Sequence, residues 1–251
     1  MPRSVRRSPY QLPALSPRQQ LRAGRLGRRI PQLYLGLFLY GWSMAMMIRS
    51  NLGLDPWDVL HQGLTHYLPY SFGIVTIIVG AIVLLLWIPL RQWPGLGTVS
   101  NVFVIGFAAD FGLWLLPGDL SLPIRIAMLI SGVVLNGLAG AIYLGSHFGA
   151  GPRDGLMTGL ARRTGGSLRL IRTGIEVSVL AIGFFLGGTV GVGTVLYAVT
   201  IGPLVQFFLP RVAVRVNMTP WLPAPSETRA MRSAPTPTPS DAARDTTPSS
   251  A

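Results

Sequence analysis

The chain repeats itself at a spacing of 96 residues. The segment Gly53-Leu54-Asp55-Pro56-Trp57-Asp58-Val59-Leu60-His61-Gln62-Gly63-Leu64 returns as Gly149-Ala150-Gly151-Pro152-Arg153-Asp154-Gly155-Leu156-Met157-Thr158-Gly159-Leu160. The match continues without a gap. Gly36, Gly41, Ala45 and Ser50 fall on Gly132, Gly137, Ala141 and Ser146, and Gly95-Leu96-Gly97-Thr98-Val99 on Gly191-Val192-Gly193-Thr194-Val195. About 21 of roughly 71 paired positions are identical, where roughly 5 or 6 would coincide by chance. A duplicated half-chain limits the fold to two copies of one unit packed on each other.

Each copy holds three apolar runs. They lie near Pro31–Asn51, Phe72–Leu90 and Leu96–Leu116, then Leu122–His147, Leu170–Gly188 and Val190–Leu209. Most have about 19–21 residues, enough for a helix to cross a hydrocarbon core of about 30 Å. The fourth is longer and must tilt, kink or project. The expected fold is all-α: a polytopic membrane helix bundle of six spans, built as two inverted three-span repeats, each with a short motif helix. The expected parts are a basic cytoplasmic segment (1–30), a first repeat (31–117), a second repeat (118–210) and a Pro/Thr/Ser/Ala-rich tail (211–251). The tail lacks the apolar residues for a core and reads as disordered.

Composition points the same way. The chain is 49% hydrophobic and only 12% charged, about half the charged share of a soluble domain. Its net charge of +12 is carried by arginine. Most of the arginines lie outside the apolar runs or at their ends rather than along one amphipathic face, which favours a membrane over nucleic acid. Cysteine is absent, which excludes disulfides, thiol catalysis and cysteine metal sites. With the N-terminus inside, only Arg49 and Arg125 lie outside, satisfying the positive-inside rule. The expected location is a bacterial cytoplasmic membrane with both termini cytoplasmic. The N-terminal arginines, Arg3 to Arg29, read as an anchor beside anionic headgroups.

Three spans per copy is an odd number, so the second copy enters the bilayer from the opposite face. Transporters are commonly built this way, with the site between the halves. Counting each motif as a further span would give eight crossings and a parallel repeat. Pro56 to Leu68, however, is about 13 residues, roughly 20 Å as a helix, and contains Asp58, His61, Gln62 and His66. It is too short and polar to cross lipid.

The motif reads as a helix start, with Asp55 at N-cap, Pro56 at N1 and Asp58 at N3 bonding free backbone N–H groups. Asp58 and Asp154 thus have two readings: stabilising two short helices, or lining a polar cavity. Asp58, His61 and Gln62 share one helical face, as do Asp154 and Thr158. Asp110 lies inside the third run and is the preferred intramembrane carboxylate; Glu176, in the fifth, has Arg172 one turn before it. The candidate cavity is therefore Asp58, His61, Gln62, Asp154, Thr158 and Asp110. Asn101 and Asn136 read as interhelical hydrogen-bonding groups. Gly95 and Gly191 mark tight starts of the third and sixth spans. Trp57, Trp87, Trp93 and Trp114 suit an interfacial aromatic belt. No third ligand completes a zinc site around His61 and Asp58, no cofactor is implied, and no nucleophile–base pair suggests an enzyme.

Pro56-Trp57-Asp58 with His61-Gln62-Gly63-Leu64 resembles the corresponding segment of the bacterial YczE/YitT-type integral membrane proteins. The likeness runs from Gln32 to Pro210. It implies a polytopic bacterial membrane protein and assigns no substrate or catalytic residue. The expected function is transport of an unidentified small molecule or ion, with proton or cation coupling. The alternative is a membrane-embedded regulator or scaffold acting through a partner. Lipid is the expected environment, and the oligomeric state is open.

Overall fold

The computed structural model describes residues 17–214 and 216. These form nine α-helices and no strand. A short α1 (Pro17–Arg22) precedes the first copy: α2 (Leu26–Ser50), α3 (Pro56–Thr65), α4 (Phe72–Leu85) and α5 (Leu96–Leu115). The second copy is α6 (Leu122–Leu144), α7 (Pro152–Thr164), α8 (Leu168–Phe185) and α9 (Val192–Val212). The expected tail, apart from its first residues, and the N-terminal arginines before Arg18 lie outside the described residues.

Among the described residues, three helices are long and apolar enough to cross a membrane: α5, α6 and α9. The sequence leads to an expectation of six. The other three fall short for separate reasons. α4 is apolar but stops at Leu85, and the chain turns until Arg91, whose φ is 51°. α2 has the length, but its uncharged stretch, residues 30–48, includes Pro31, Gln32, Tyr34, Tyr40, Trp42 and Ser43 and is only moderately apolar. α8 carries Arg169, Arg172 and Glu176.

The centre of the bundle is α2 packed along α6. Small residues permit the approach: a Cβ on Gly36 would stand 2.6 Å from the Tyr143 backbone nitrogen. Around this pair the contacts come in equivalent sets. α5 packs on α2 and α9 on α6; α3 packs on α8 and α4 on α7. One set is unequal, since α4 packs along α5 whereas the α8–α9 contact is slight.

The backbone repeats its unusual conformations at the same spacing. Asn51 and His147 have φ of 49° and 59°, Gly53 and Gly149 of 118° and 105°, and Arg91 and Gly187 of 51° and 90°. The loops before the motif helices also exchange hydrogen bonds reciprocally. Gly97 N–H donates to Phe148 O at 2.9 Å, and Gly193 N–H to Leu52 O at 2.8 Å. Gly53 suits this crossing twice over. Its φ is one that side chains avoid, and a Cβ there would meet Gly191 N at 2.7 Å.

Two arginines hold the same loops. Arg29 donates from Nε to Ser146 O (2.8 Å) and from Nη2 to His147 O (3.1 Å). Arg125 donates from Nε to Ser50 O (2.6 Å) and from Nη2 to Asn51 O (2.8 Å). Arg29 also reaches Gln20 O and stacks on Phe148. It is fully buried, so it is no solvated membrane anchor. Arg29→Ala should cost about 3 kcal/mol or more, because it strands buried carbonyls. Arg125→Ala, at a half-exposed site, should cost about 1 kcal/mol. Melting in detergent micelles checks this order; equal losses would refute it.

Candidate functional site

Asp55 caps α3. Its Oδ1 accepts Trp57 N–H at 2.8 Å and Asp58 N–H at 3.1 Å, and Pro56 fills the first helical position, where no N–H is needed. Asp58 does not take the backbone-bonding role expected of it. Its Oδ1 faces His61 Nδ1 at 3.3 Å and Arg153 Nη2 at 3.5 Å. Arg153 Nη1 also lies 3.6 Å from Asp55 Oδ1, and its guanidinium sits over the Trp57 ring at 5.0 Å. Trp57 and Arg153 are repeat equivalents, so the two copies touch through the same position. Asp55 Oδ2, Asp58 Oδ2 and Trp57 Nε1 are buried with no hydrogen-bond partner.

Burial and then the Asp58 charge push the Asp55 carboxyl up, while Arg153 opposes them. Burial likewise raises Asp58 against the pull of Arg153. Burial and then Arg153 hold His61 well below its usual value, which keeps the imidazole neutral. The Thr76 hydroxyl donates to Phe72 O at 2.9 Å and lies 3.3 Å from His61 Nδ1. A neutral His61 protonated at Nδ1 can therefore serve both Thr76 and Asp58.

These groups border a cavity of about 120 Å³. Asp55, His61 and Trp57 line it from α3, and Arg153, Asp154 and Met157 from α7. Tyr40, Tyr143 and Tyr197 line it from α2, α6 and α9, and Arg172 and Glu176 from α8. Asp58 is not among the lining residues; it meets the cavity through His61 and Arg153. Arg172 Nε and Glu176 Oε1 pair at 2.8 Å, both partly exposed. Asp154 lines the same cavity; burial raises its carboxyl, and the Arg172 and Arg153 charges oppose this. Four carboxyl groups thus surround two guanidinium groups.

The structure divides the residues expected at the site. Asp58, His61 and Asp154 come together. Gln62 turns aside, its Oε1 accepting Thr189 N–H at 2.7 Å. Thr158 bonds Gly155 O and lines a separate, wider depression. Asp110 accepts from the Ser71 hydroxyl and from Gly73 N–H at 2.7 Å, capping α4; its repeat mate Gln206 is exposed. Asn136 is interhelical as expected, donating to Ser43 Oγ and accepting from Tyr197, whereas Asn101 lines the cavity. Of the tryptophans, Trp93 and Trp114 are exposed as a belt requires, but Trp57 and Trp87 are buried. Trp87 covers Gly155 and donates to Pro152 O at 3.0 Å. Tyr40, Tyr143 and Tyr197 carried no signal in the sequence beyond aromatic residues in apolar runs. Arg153 did carry one, as the single charge replacing Trp in the repeated motif.

Apolar helices of spanning length and an all-helical bundle define the class: an integral membrane protein. Residues 27–210 match the family of unknown function DUF6198, and the chain belongs to that family. An uncharacterized protein of Haemophilus influenzae is 39% identical over 186 residues, covering 74% of this chain and 85% of the relative. The uncharacterized membrane protein YczE of Bacillus subtilis is 32% identical over 180 residues, covering 71% and 84%. YyaS, from the same organism, is 28% identical over 183 residues, covering 70% and 90%. No solved structure matches.

Removing Arg153 should leave two carboxyl groups buried without a cation, at a cost of about 3–5 kcal/mol. In a double-mutant cycle, Asp58→Asn should recover at least about 1 kcal/mol of the Arg153→Gln loss. Additive losses would show that the two side chains do not interact.

Proposed function

We propose that the protein is a multi-pass, transporter-like carrier of the bacterial cytoplasmic membrane, with its site in the cavity between two inverted repeats. The observation that carries this reading is the meeting of Trp57 and Arg153, equivalent positions of the two copies, at the wall of a polar cavity. The reciprocal Gly97–Phe148 and Gly193–Leu52 hydrogen bonds support a two-fold relation between the copies. A carrier places its site at such an interface and exposes it by moving one copy against the other. The firm α4–α5 contact and slight α8–α9 contact fit a resting state closed on one side and open on the other. Buried carboxyl groups in the cavity supply groups for proton or cation coupling.

The natural absence of cysteine makes single-cysteine labelling clean. Tyr70→Cys and Gly166→Cys mark equivalent exposed loops. A membrane-impermeant maleimide should label the first from outside the cell and the second only from inside; both on one face would end the inverted reading. In proteoliposomes containing a pH-sensitive dye, a panel of amines, carboxylic acids, amino acids and sugars should produce solute-dependent flux. Asp154→Asn should reduce that flux at least about tenfold, the scale of a lost charged contact, while Asp110→Asn should keep most of it. Flux that vanished with Asp110→Asn and survived Asp154→Asn would move the site elsewhere, and no flux would favour a regulator or scaffold.

A further inference from the structure

Arg153 is poorly matched to its surroundings. Its contacts to Asp55 and Asp58 are 3.6 and 3.5 Å, whereas Arg172 meets Glu176 at 2.8 Å. Both aspartates retain a buried oxygen without a partner. Asp55 is 1% exposed and lines the cavity. The Arg153 side chain keeps 25% exposure although its acidic partners keep at most 2%. The guanidinium therefore stands at the cavity edge, loosely held, over an aromatic face.

Acidic groups outnumber basic ones around the cavity. Asp55, Asp58, Asp154 and Glu176 surround Arg153 and Arg172, and His61 is held neutral. In a site of low polarity such an excess of acids is offset by protons, towards which burial pushes Asp55 and Asp58, or by a further cation in their place. An anion would find both guanidinium groups already committed to carboxylates. The walls add a second condition. Trp57, Tyr40, Tyr143 and Tyr197 offer aromatic surface, and Val79, Val83 and Met157 offer apolar surface. Aromatic faces beside carboxylates recognise alkylammonium groups, through cation–π attraction and apolar contact together. A bare metal ion gains little from such walls. A space of about 120 Å³ limits the guest to a few heavy atoms.

We propose that this cavity binds a small organic ammonium ion, and that Arg153 is a tethered cation which the ligand displaces from Trp57, Asp55 and Asp58. The inference deepens the carrier reading by naming its solute class. Arg153 reaches the site from the other copy, so releasing it loosens one contact between the halves. The ligand takes over the charge that the guanidinium had neutralised.

The test is binding, which needs no flux. Ethylammonium and tetramethylammonium chloride should raise the melting temperature of the full chain in nanodiscs, saturably. Sodium chloride and sodium acetate at matched ionic strength should not. Arg153→Gln melts lower without ligand, but its half-saturating ethylammonium concentration should fall about tenfold, because a resident competitor is gone. Trp57→Leu, which keeps both carboxylates, should raise that concentration about tenfold by removing the aromatic face. If Arg153→Gln does not fold, Trp57→Leu decides alone. Weaker ethylammonium binding in Arg153→Gln, stabilisation by acetate, an equal effect of sodium, or unchanged binding in Trp57→Leu would each overturn the proposal. Ammonium binding without flux keeps this inference and removes the carrier; flux of another solute without ammonium binding does the reverse.

Discussion

Each half of the bundle is closed by the other half's loop. The chain leaving α2 reaches the first turn of α9, and the chain leaving α6 reaches the first turn of α5, each by one hydrogen bond to a glycine N–H. The first N–H groups of a helix have no partner within it, and in a hydrocarbon setting each costs several kcal/mol if left bare. The starts of α5 and α9 avoid part of that cost only when the copies are together. Arg29 and Arg125 grip the carbonyls on the same crossing loops. Neither copy is complete alone, and the motif helices α3 and α7 begin immediately after the crossings that hold them.

That placement explains why the cavity lies where it does. The two-fold relation we propose would bring a position and its equivalent together near the axis, and residues 57 and 153 are such a pair. Had both remained tryptophan, two rings would face each other. Arginine in one copy gives a ring under a guanidinium instead, with the acids of the first copy around it. Asp55 has Gly151 as its mate and His61 has Met157. The two acids paired with Arg153 thus come from one copy and the cation from the other. A similar exchange of bulk occurs nearby: Trp87 lies over Gly155, while at the mate of Trp87, Gly183 lies against Val59 and Leu60.

Much of this was legible in the sequence, and the rest failed for identifiable reasons. The 96-residue spacing, the caps at Asp55, Gly95 and Gly191, and the helical class follow from local rules that need no tertiary contact. Asp110 misled because a carboxylate in an apolar run signals a partner without naming it; the partner is the start of α4. Gln62 shares a helical face with Asp58, yet its longer side chain bonds the loop before α9. Trp87 reads as an interfacial ring until the glycine it covers is known. Arg29 and Arg125 also lie 96 apart, and that pairing was available in the sequence. Their shared role was obscured because an arginine near the end of an apolar run ordinarily reads as topology.

A buried ion pair is weak support for stability, since two desolvated charges recover little more than an apolar pair would. Arg153 with Asp55 and Asp58 is a poor case even by that standard, given its long contacts and unpartnered oxygens. The crossing loops and the glycine-mediated packing of α2 on α6 already hold the copies together. The cluster is therefore not what joins the copies, and its long contacts and unpartnered oxygens lie where the copies meet. In the carrier we propose the interface must open, which needs contacts weak enough to exchange and charges that penalise a vacancy. Loose guanidinium–carboxylate contacts at a cavity wall satisfy both conditions, whereas a tight apolar seam would satisfy neither.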